Sequence, residues 1–372
     1  MAVPLAPHVR PARPAHLVHP AEADAAVAET TDMRSRILMQ FHITGRCNLR
    51  CKHCYREDGD VQPLSTDDVK NIIDQYTKLL RLYNGIHGIK RRGHINITGG
   101  EPFIREDIRD ILMYLGEHRE RFSYGVLSNG SFIDDGMIKV LRETGASFVQ
   151  LSIDGDRETH DSLRASGDYD RVLRKAEYLE KNGIRTYISF TANRDNHKHL
   201  PKVAKECRKA GVTKLWSDRL VPIGGGSELR DIAITADNIE DYLGSLRRAK
   251  GNFLTRKIYS KTMVSSNRAL QFLGTDGCPY HCSAGDTLIT VDEFGNVMPC
   301  RRMPIVCGNA LETSLASIYF GDDTFRTLRM EHIPKECEGC KHKSVCRGGA
   351  KCQSYAVYGD FGRRDPGCPV KI

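Results

Sequence analysis

A chain of 372 residues, 40% apolar and 27% charged, is long enough to bury a core and too apolar for wholesale disorder. Its 55 Lys and Arg against 47 Asp and Glu leave a formal charge of +8, but the basic residues are dispersed. Arg91-Arg92 and Arg301-Arg302 are only short doublets, so no nucleic-acid partner is expected, and no apolar run approaches the ~20 residues of a membrane span.

In chain order, residues 1–36 are rich in Ala, Pro and His without a continuous apolar stretch, and read as a flexible arm rather than a secretory signal. Ile37 to Thr44 reads as a strand. Ser65 caps a helix with Asp68 three positions on and apolar residues at Val69, Ile72, Ile73, Tyr76 and Leu79-Leu80. Strands follow at 95–98, 124–127, 148–153, 185–191 and 214–221. Helices at 106–117, 134–144, 170–182 and 200–210 lie between them, the last two closed by Gly183 and Gly211. This alternation predicts parallel βαβ units, six in all, so an α/β partial barrel lacking its seventh and eighth strands. Residues 37–251 form that domain. After Gly224-Gly225-Gly226 the pattern loosens: Asp237–Arg248 and Thr262–Leu273 are read as helices without partner strands, and residues 252–277 as a bridge. Residues 278–372 are read as a loop-rich module with one hairpin, from Leu288–Val291 through Glu293-Phe294-Gly295-Asn296.

Thirteen cysteines, an odd number in a chain without an export signal, argue against a closed disulfide framework and for a cytoplasmic protein that binds metal. Cys47, Cys51 and Cys54 stand on one loop after the first strand. Three thiolates can hold a four-iron cube and leave one iron open to an outside ligand. Zinc, with His53 as fourth ligand, is the alternative. Gly99-Gly100-Glu101-Pro102, Ser128-Asn129-Gly130 and Ser152-Ile153-Asp154-Gly155 all stand at C-terminal ends of predicted strands, where barrel sites form. Arg164 follows twelve residues after Ser152. Leu220 ends the sixth strand, as lining or as plain packing. Downstream come Cys282, Cys300, Cys337, Cys340, Cys346, Cys352 and Cys368. A zinc ribbon of Cys337, Cys340, Cys346 and Cys352 leaves the others unexplained.

The CxxxCxxC loop followed by GGEP resembles the radical SAM superfamily, and the C-terminal cysteines resemble its SPASM domain, an auxiliary-cluster module. The resemblance implies that Cys47, Cys51 and Cys54 carry a [4Fe-4S] cluster that reductively cleaves S-adenosylmethionine (SAM), yielding a radical that takes hydrogen from a substrate. His53, Gly99, Gly100, Glu101, Ser128, Asn129, Ser152, Asp154, Arg164 and Leu220 are then the SAM-side residues, with Arg164 on the carboxylate. Two auxiliary [4Fe-4S] clusters follow, on Cys278, Cys282, Cys300 and Cys352 and on Cys337, Cys340, Cys346 and Cys368. Relatives space the third and fourth cysteines of the CxxC run by three residues where this chain has five. Cys207 and Cys307 are left for packing.

The resemblance further implies a ribosomally made peptide as substrate and an electron donor such as flavodoxin or ferredoxin. Leader recognition is expected from a separate leader-binding protein or from the surface between the two domains, since the arm is too short for that domain. A tetrapyrrole or redox-cofactor maturase is the alternative, with His281, His332 and His342 near the clusters; a non-catalytic iron–sulfur or zinc protein is the remote one. Arg301 stands where sulfatase maturases carry an acid after the hairpin cysteine.

Overall fold

The computed structural model describes residues 36–56, 61–259, 261–275, 277, 280–330 and 332–372. The expected arm, save Arg36, and the expected ligand Cys278 lie outside the described residues. Six strands pair in chain order, each parallel to the next: β1 (Leu38–His42), β2 (Gly93–Thr98), β3 (Phe122–Leu127), β4 (Val149–Ser152), β5 (Thr186–Ala192) and β6 (Lys214–Arg219). Their side chains alternate with period two. Met39, Phe41, Ile95, Ile97, Val126, Leu151 and Ile188 are fully buried in the main core. The other face carries Gln40, His42, Gln150, Ser152, Trp216 and Asp218, and there the Trp216 indole donates to Gln150 Oε1 at 3.0 Å. A parallel sheet covered on both faces is normally apolar on both, so a polar inner face marks a lined interior.

The intervening helices are α1 (Thr66–His87), α2 (Ile108–Glu117), α3 (Asp135–Glu143), α4 (Arg157–Leu163), α5 (Asp168–Lys181) and α6 (Leu200–Lys209). α1 starts where the sequence says: Ser65 Oγ accepts from Asp68 N, the Asp68 carboxylate accepts from Ser65 N, and Gly88 closes the helix at φ 60°.

Beyond β6 the structure departs from expectation. α7 (Ile239–Lys250) and α8 (Phe253–Ile258) are helical, but Thr262–Leu273 is not. It holds β7 (Met263–Ser265), parallel to β6, and Leu270 takes a left-handed φ of 67° that breaks any helix there. β8 (Leu288–Val291) lies parallel to β1. The two strands thought absent are therefore present as short segments outside the regular βα rhythm, and eight parallel strands run β8-β1-β2-β3-β4-β5-β6-β7. β8 turns antiparallel into β9 (Asn296–Met298), the expected hairpin, and β10 (Gly308–Asn309) extends it.

The C-terminal region is also more helical than its composition suggests, with α9 (Leu315–Gly321), α10 (Asp323–Arg329), α11 (Lys343–Cys346) and α12 (Lys351–Tyr358). Residues 36–372 form one unit. Arg219 at the end of β6 grips Asp365 through two hydrogen bonds of 3.0 and 2.6 Å, both side chains buried. Gln353 Nε2 donates to Leu220 O at 2.9 Å, and Arg302 to Asp218 at 2.9 Å. The architecture is a TIM-like partial α/β barrel with its cysteine-rich C-terminal region bound across β6.

Candidate active site

The loop after β1 carries Cys47, Cys51 and Cys54, all partly exposed. It is held against the strand ends by backbone contacts: Gly100 N donates to Thr44 O and Glu101 N to Arg46 O, each at 2.8 Å. Such an approach needs Gly99 and Gly100. A Cβ on Gly99, at φ 151°, would stand 2.3 Å from Thr44 O, and one on Gly100 would stand 2.2 Å from Arg46 O. The glycines therefore serve the cysteine loop directly. Gly100→Ala should push that loop off β2 and lower bound iron by about four per chain, read by iron analysis after anaerobic reconstitution.

Glu101 is wholly enclosed. Its carboxylate accepts from Ser128 Oγ (2.8 Å), Asn129 N (2.7 Å) and Phe103 N (3.2 Å), fastening the end of β3 to the end of β2. Asn129 Nδ2 then donates to Asn48 Oδ1 at 2.8 Å, so the cysteine loop is tied in from this side too. Glu101 thus acts here as an organiser of the loops. Burial pushes its carboxyl up to about 7, against the hydrogen bonds that favour the anion. Because the folded value lies above the unfolded one, the folded state holds the extra proton, and stability falls as pH rises from about 4.5 to about 7. Glu101→Gln should flatten that decline by about 3 kcal/mol, measured as the difference between the two proteins' denaturation midpoints across this range.

Asp154, also fully enclosed, is the second organiser. Its Oδ2 accepts from Arg164 Nε at 2.6 Å and lies 3.3 Å from His53 Nε2, and its Oδ1 accepts from Thr191 N at 2.7 Å. Burial opposes its ionisation, but Arg164 and His53 hold its carboxyl far below the usual range. Arg164 reaches back over the loop, with Nη1 3.8 Å from Cys51 Sγ and Nη2 3.4 Å from His53 Nε2. Burial pushes the Cys51 thiol up to about 11, with Arg164 opposing. His53 faces Asp154 and Arg164 through Nε2, and its Nδ1 is buried without a partner. Ser152 Oγ pairs with Ser189 Oγ at 2.9 Å, and Leu220 is packed away, 1% exposed.

One contributor escaped the sequence reading. Gly226 N donates to Cys54 O at 3.1 Å, and a Cβ on Gly224, at φ 56°, would stand 2.5 Å from Tyr55 O. The Gly224-Gly225-Gly226 tract after β6 therefore braces the cysteine loop from the far side of the barrel. Only the fold brings these segments together, although three successive glycines were the available signal.

The twelve described cysteines form no disulfide. Cys282, Cys300 and Cys352 lie within electrostatic reach of one another. Cys337, Cys340, Cys346 and Cys368 make a separate group. Burial pushes Cys346 up to about 12, so these thiols need cations or a metal cluster to ionise. Arg302, beside Cys352 and Cys300, and Arg364, whose Nη2 donates to Cys368 Sγ at 3.3 Å, supply cations. Among the described residues no His, Cys, Asp or Glu triplet is drawn close enough for a single metal ion, and a four-iron cube keeps its thiolates farther apart than one ion does. Grouped thiols with adjacent guanidinium groups fit iron–sulfur clusters. Cys207 is a buried core residue on α6, and Cys307 packs at the edge of the core.

Comparison with known proteins agrees with this geometry. Residues 41–207 match the radical SAM superfamily, and residues 282–341 match the SPASM iron–sulfur cluster-binding domain. The chain is 28% identical over 354 residues to an AdoMet-dependent heme synthase of Nitratidesulfovibrio vulgaris, covering 90% of this chain and 92% of that one. It is 24% identical over 353 residues to a PqqA peptide cyclase of Granulibacter bethesdensis, covering 88% and 86%. In fold it is similar to Streptococcus suis SuiB bound to S-adenosylmethionine, with a TM-score of 0.69 and 19% identity over 94% of this chain and 82% of that one. No helix among the described residues is long and apolar enough to cross a membrane. With its cysteine loop at the mouth of a partial barrel and a cluster-binding region behind it, this chain belongs to the radical SAM superfamily and carries a C-terminal SPASM domain.

Proposed function

We propose that this enzyme uses S-adenosylmethionine and three [4Fe-4S] clusters to abstract hydrogen from a ribosomally made peptide and install a crosslink or related modification. The observation that carries the reading is the buried Asp154–Arg164–His53 group drawn over Cys51 on a loop with three thiols. Cys47, Cys51 and Cys54 hold the first cluster. Cys282, Cys300 and Cys352, with Cys278, hold the second, and Cys337, Cys340, Cys346 and Cys368 the third. When bound at the open iron, the cofactor supplies the radical chemistry of its reductive cleavage.

The protein's part is position. Asp154 fixes Arg164 through Nε by a short charge-assisted bond, so that Nη1 and Nη2 point at Cys51 and His53 on the loop, where a guanidinium can meet a carboxylate. Glu101 keeps Ser128 and Asn129 in line with that loop. The polar inner face from Gln40 to Asp218 provides donors and acceptors for an extended polar substrate. The electron donor is a small redox protein of the flavodoxin or ferredoxin type.

The peptide cyclase among the relatives supports the peptide reading. The heme synthase, similar over nine-tenths of both chains, favours a second one, a tetrapyrrole substrate. Anaerobic co-expression with any short peptide found encoded beside this chain, read by mass spectrometry, separates them. Loss of two hydrogens from the peptide is expected. An unmodified peptide, together with SAM-dependent conversion of an added tetrapyrrole, would replace the first reading by the second.

A further inference from the structure

Lys351 opens α12 immediately before Cys352, and it is 8% exposed. Its ammonium Nζ is buried without a hydrogen-bond partner. A charge left unpaired in the interior is costly, so a native structure that keeps one directs it at something. Three observations indicate what that is. The Lys351 backbone N–H donates to the Cys282 thiol. Lys351 and Cys282 line one small cavity, together with His281, Asp286 and Arg347. Finally, Lys351 stands in the chain between Cys346 of one cysteine group and Cys352 of the other, and Cys282, Cys337, Cys346 and Asp360 favour its charge against the burial that opposes it.

The remaining cations are arranged differently. Arg302 serves Cys300 and Cys352 and is paired with Asp218 at 2.9 Å. Arg364 serves Cys368, Cys337 and Cys340. Each arginine therefore belongs to one group of thiols, whereas Lys351 faces both.

We propose that Lys351 is an electrostatic bridge between the two auxiliary clusters, a positioning charge that makes both easier to reduce and keeps their potentials in step. The inference rests on the cluster assignment made above. A cluster gains one negative charge on reduction, and a buried cation between two clusters stabilises that charge at each of them, where low polarisability strengthens the effect.

The test is an EPR-monitored redox titration of full-length protein in which Cys47, Cys51 and Cys54 are Ala, leaving only the auxiliary clusters to report. Lys351→Met should make reduction of both about tenfold less favourable, moving each one-electron wave by ~59 mV to more negative potential. Lys351→Gln should do the same, and Lys351→Arg should restore both waves. Arg302→Gln should move one wave and Arg364→Gln the other. Two full waves that ignore Lys351→Met, or a shift in only one of them, overturn the bridge. Iron analysis of the parent protein tests the cluster assignment separately: about eight irons support it, and four or fewer strike that assignment itself.

Discussion

Replacing Cys47, Cys51 and Cys54 together by Ala should remove about four of roughly twelve irons per chain and reduce SAM cleavage to background, while the auxiliary clusters remain. The expectation follows from how separately the thiols are held. The first three stand on a loop tied to β2 through Thr44, Gly100, Arg46 and Glu101, and braced by Gly226. The auxiliary sets are assembled from the β8–β9 hairpin region and the segments around α11 and α12. Nothing in the first site depends on ligands from the second. Asp154→Asn gives the complementary result. It leaves the three thiols and their iron in place but removes the anion that holds Arg164 at 2.6 Å and faces His53 at 3.3 Å. SAM affinity should therefore fall while iron content does not, a split visible when SAM binding and iron are measured on the same sample.

The second large effect is on stability. Arg219 and Asp365 form a fully buried bidentate pair between β6 and the C-terminal region. Asp365 also accepts from Ala350 N at 2.9 Å and Gly367 N at 2.8 Å, so the whole turn that presents Cys368 is organised on this carboxylate. Arg219→Met leaves that anion buried and uncompensated, which costs about 3–5 kcal/mol. Denaturant midpoints should drop accordingly. The double variant Arg219→Met with Asp365→Leu should lose less than the two single losses added together, because the interior charge has gone. Additive losses would mean that the pair contributes little as a pair.

Much of the architecture was legible in the chain because period-two strands and capped helices state themselves locally. Ser65 with Asp68, and Gly88 at the far end of α1, are local signals that the structure keeps. β7 was not legible. Ala269, Leu270 and Leu273 are spaced as on one helical face, and the left-handed backbone at Leu270 is what breaks the helix. β8 was read as a hairpin strand but not as a neighbour of β1, since its partner lies some 250 residues away in the chain.

In the site, residue type was readable but role was not. The motifs pick out Glu101 and Asp154, yet both carboxylates are spent on the protein's own donors, Ser128 and Asn129 for one and Arg164 and Thr191 for the other. Whether a carboxylate meets a ligand or a neighbouring loop is decided by burial, which spacing does not encode. Gly224 and Gly226 lie about 170 residues from the cysteine loop they support, and only closure of the barrel joins them.

Anaerobic, reconstituted and chemically reduced protein incubated with S-adenosylmethionine is the most direct examination of the open-iron assignment at Cys47, Cys51 and Cys54. The expected product is 5′-deoxyadenosine, released by the intact chain and not by the triple alanine variant. Fully iron-loaded protein that releases none, or a triple variant that releases as much as the parent, contradicts the assignment.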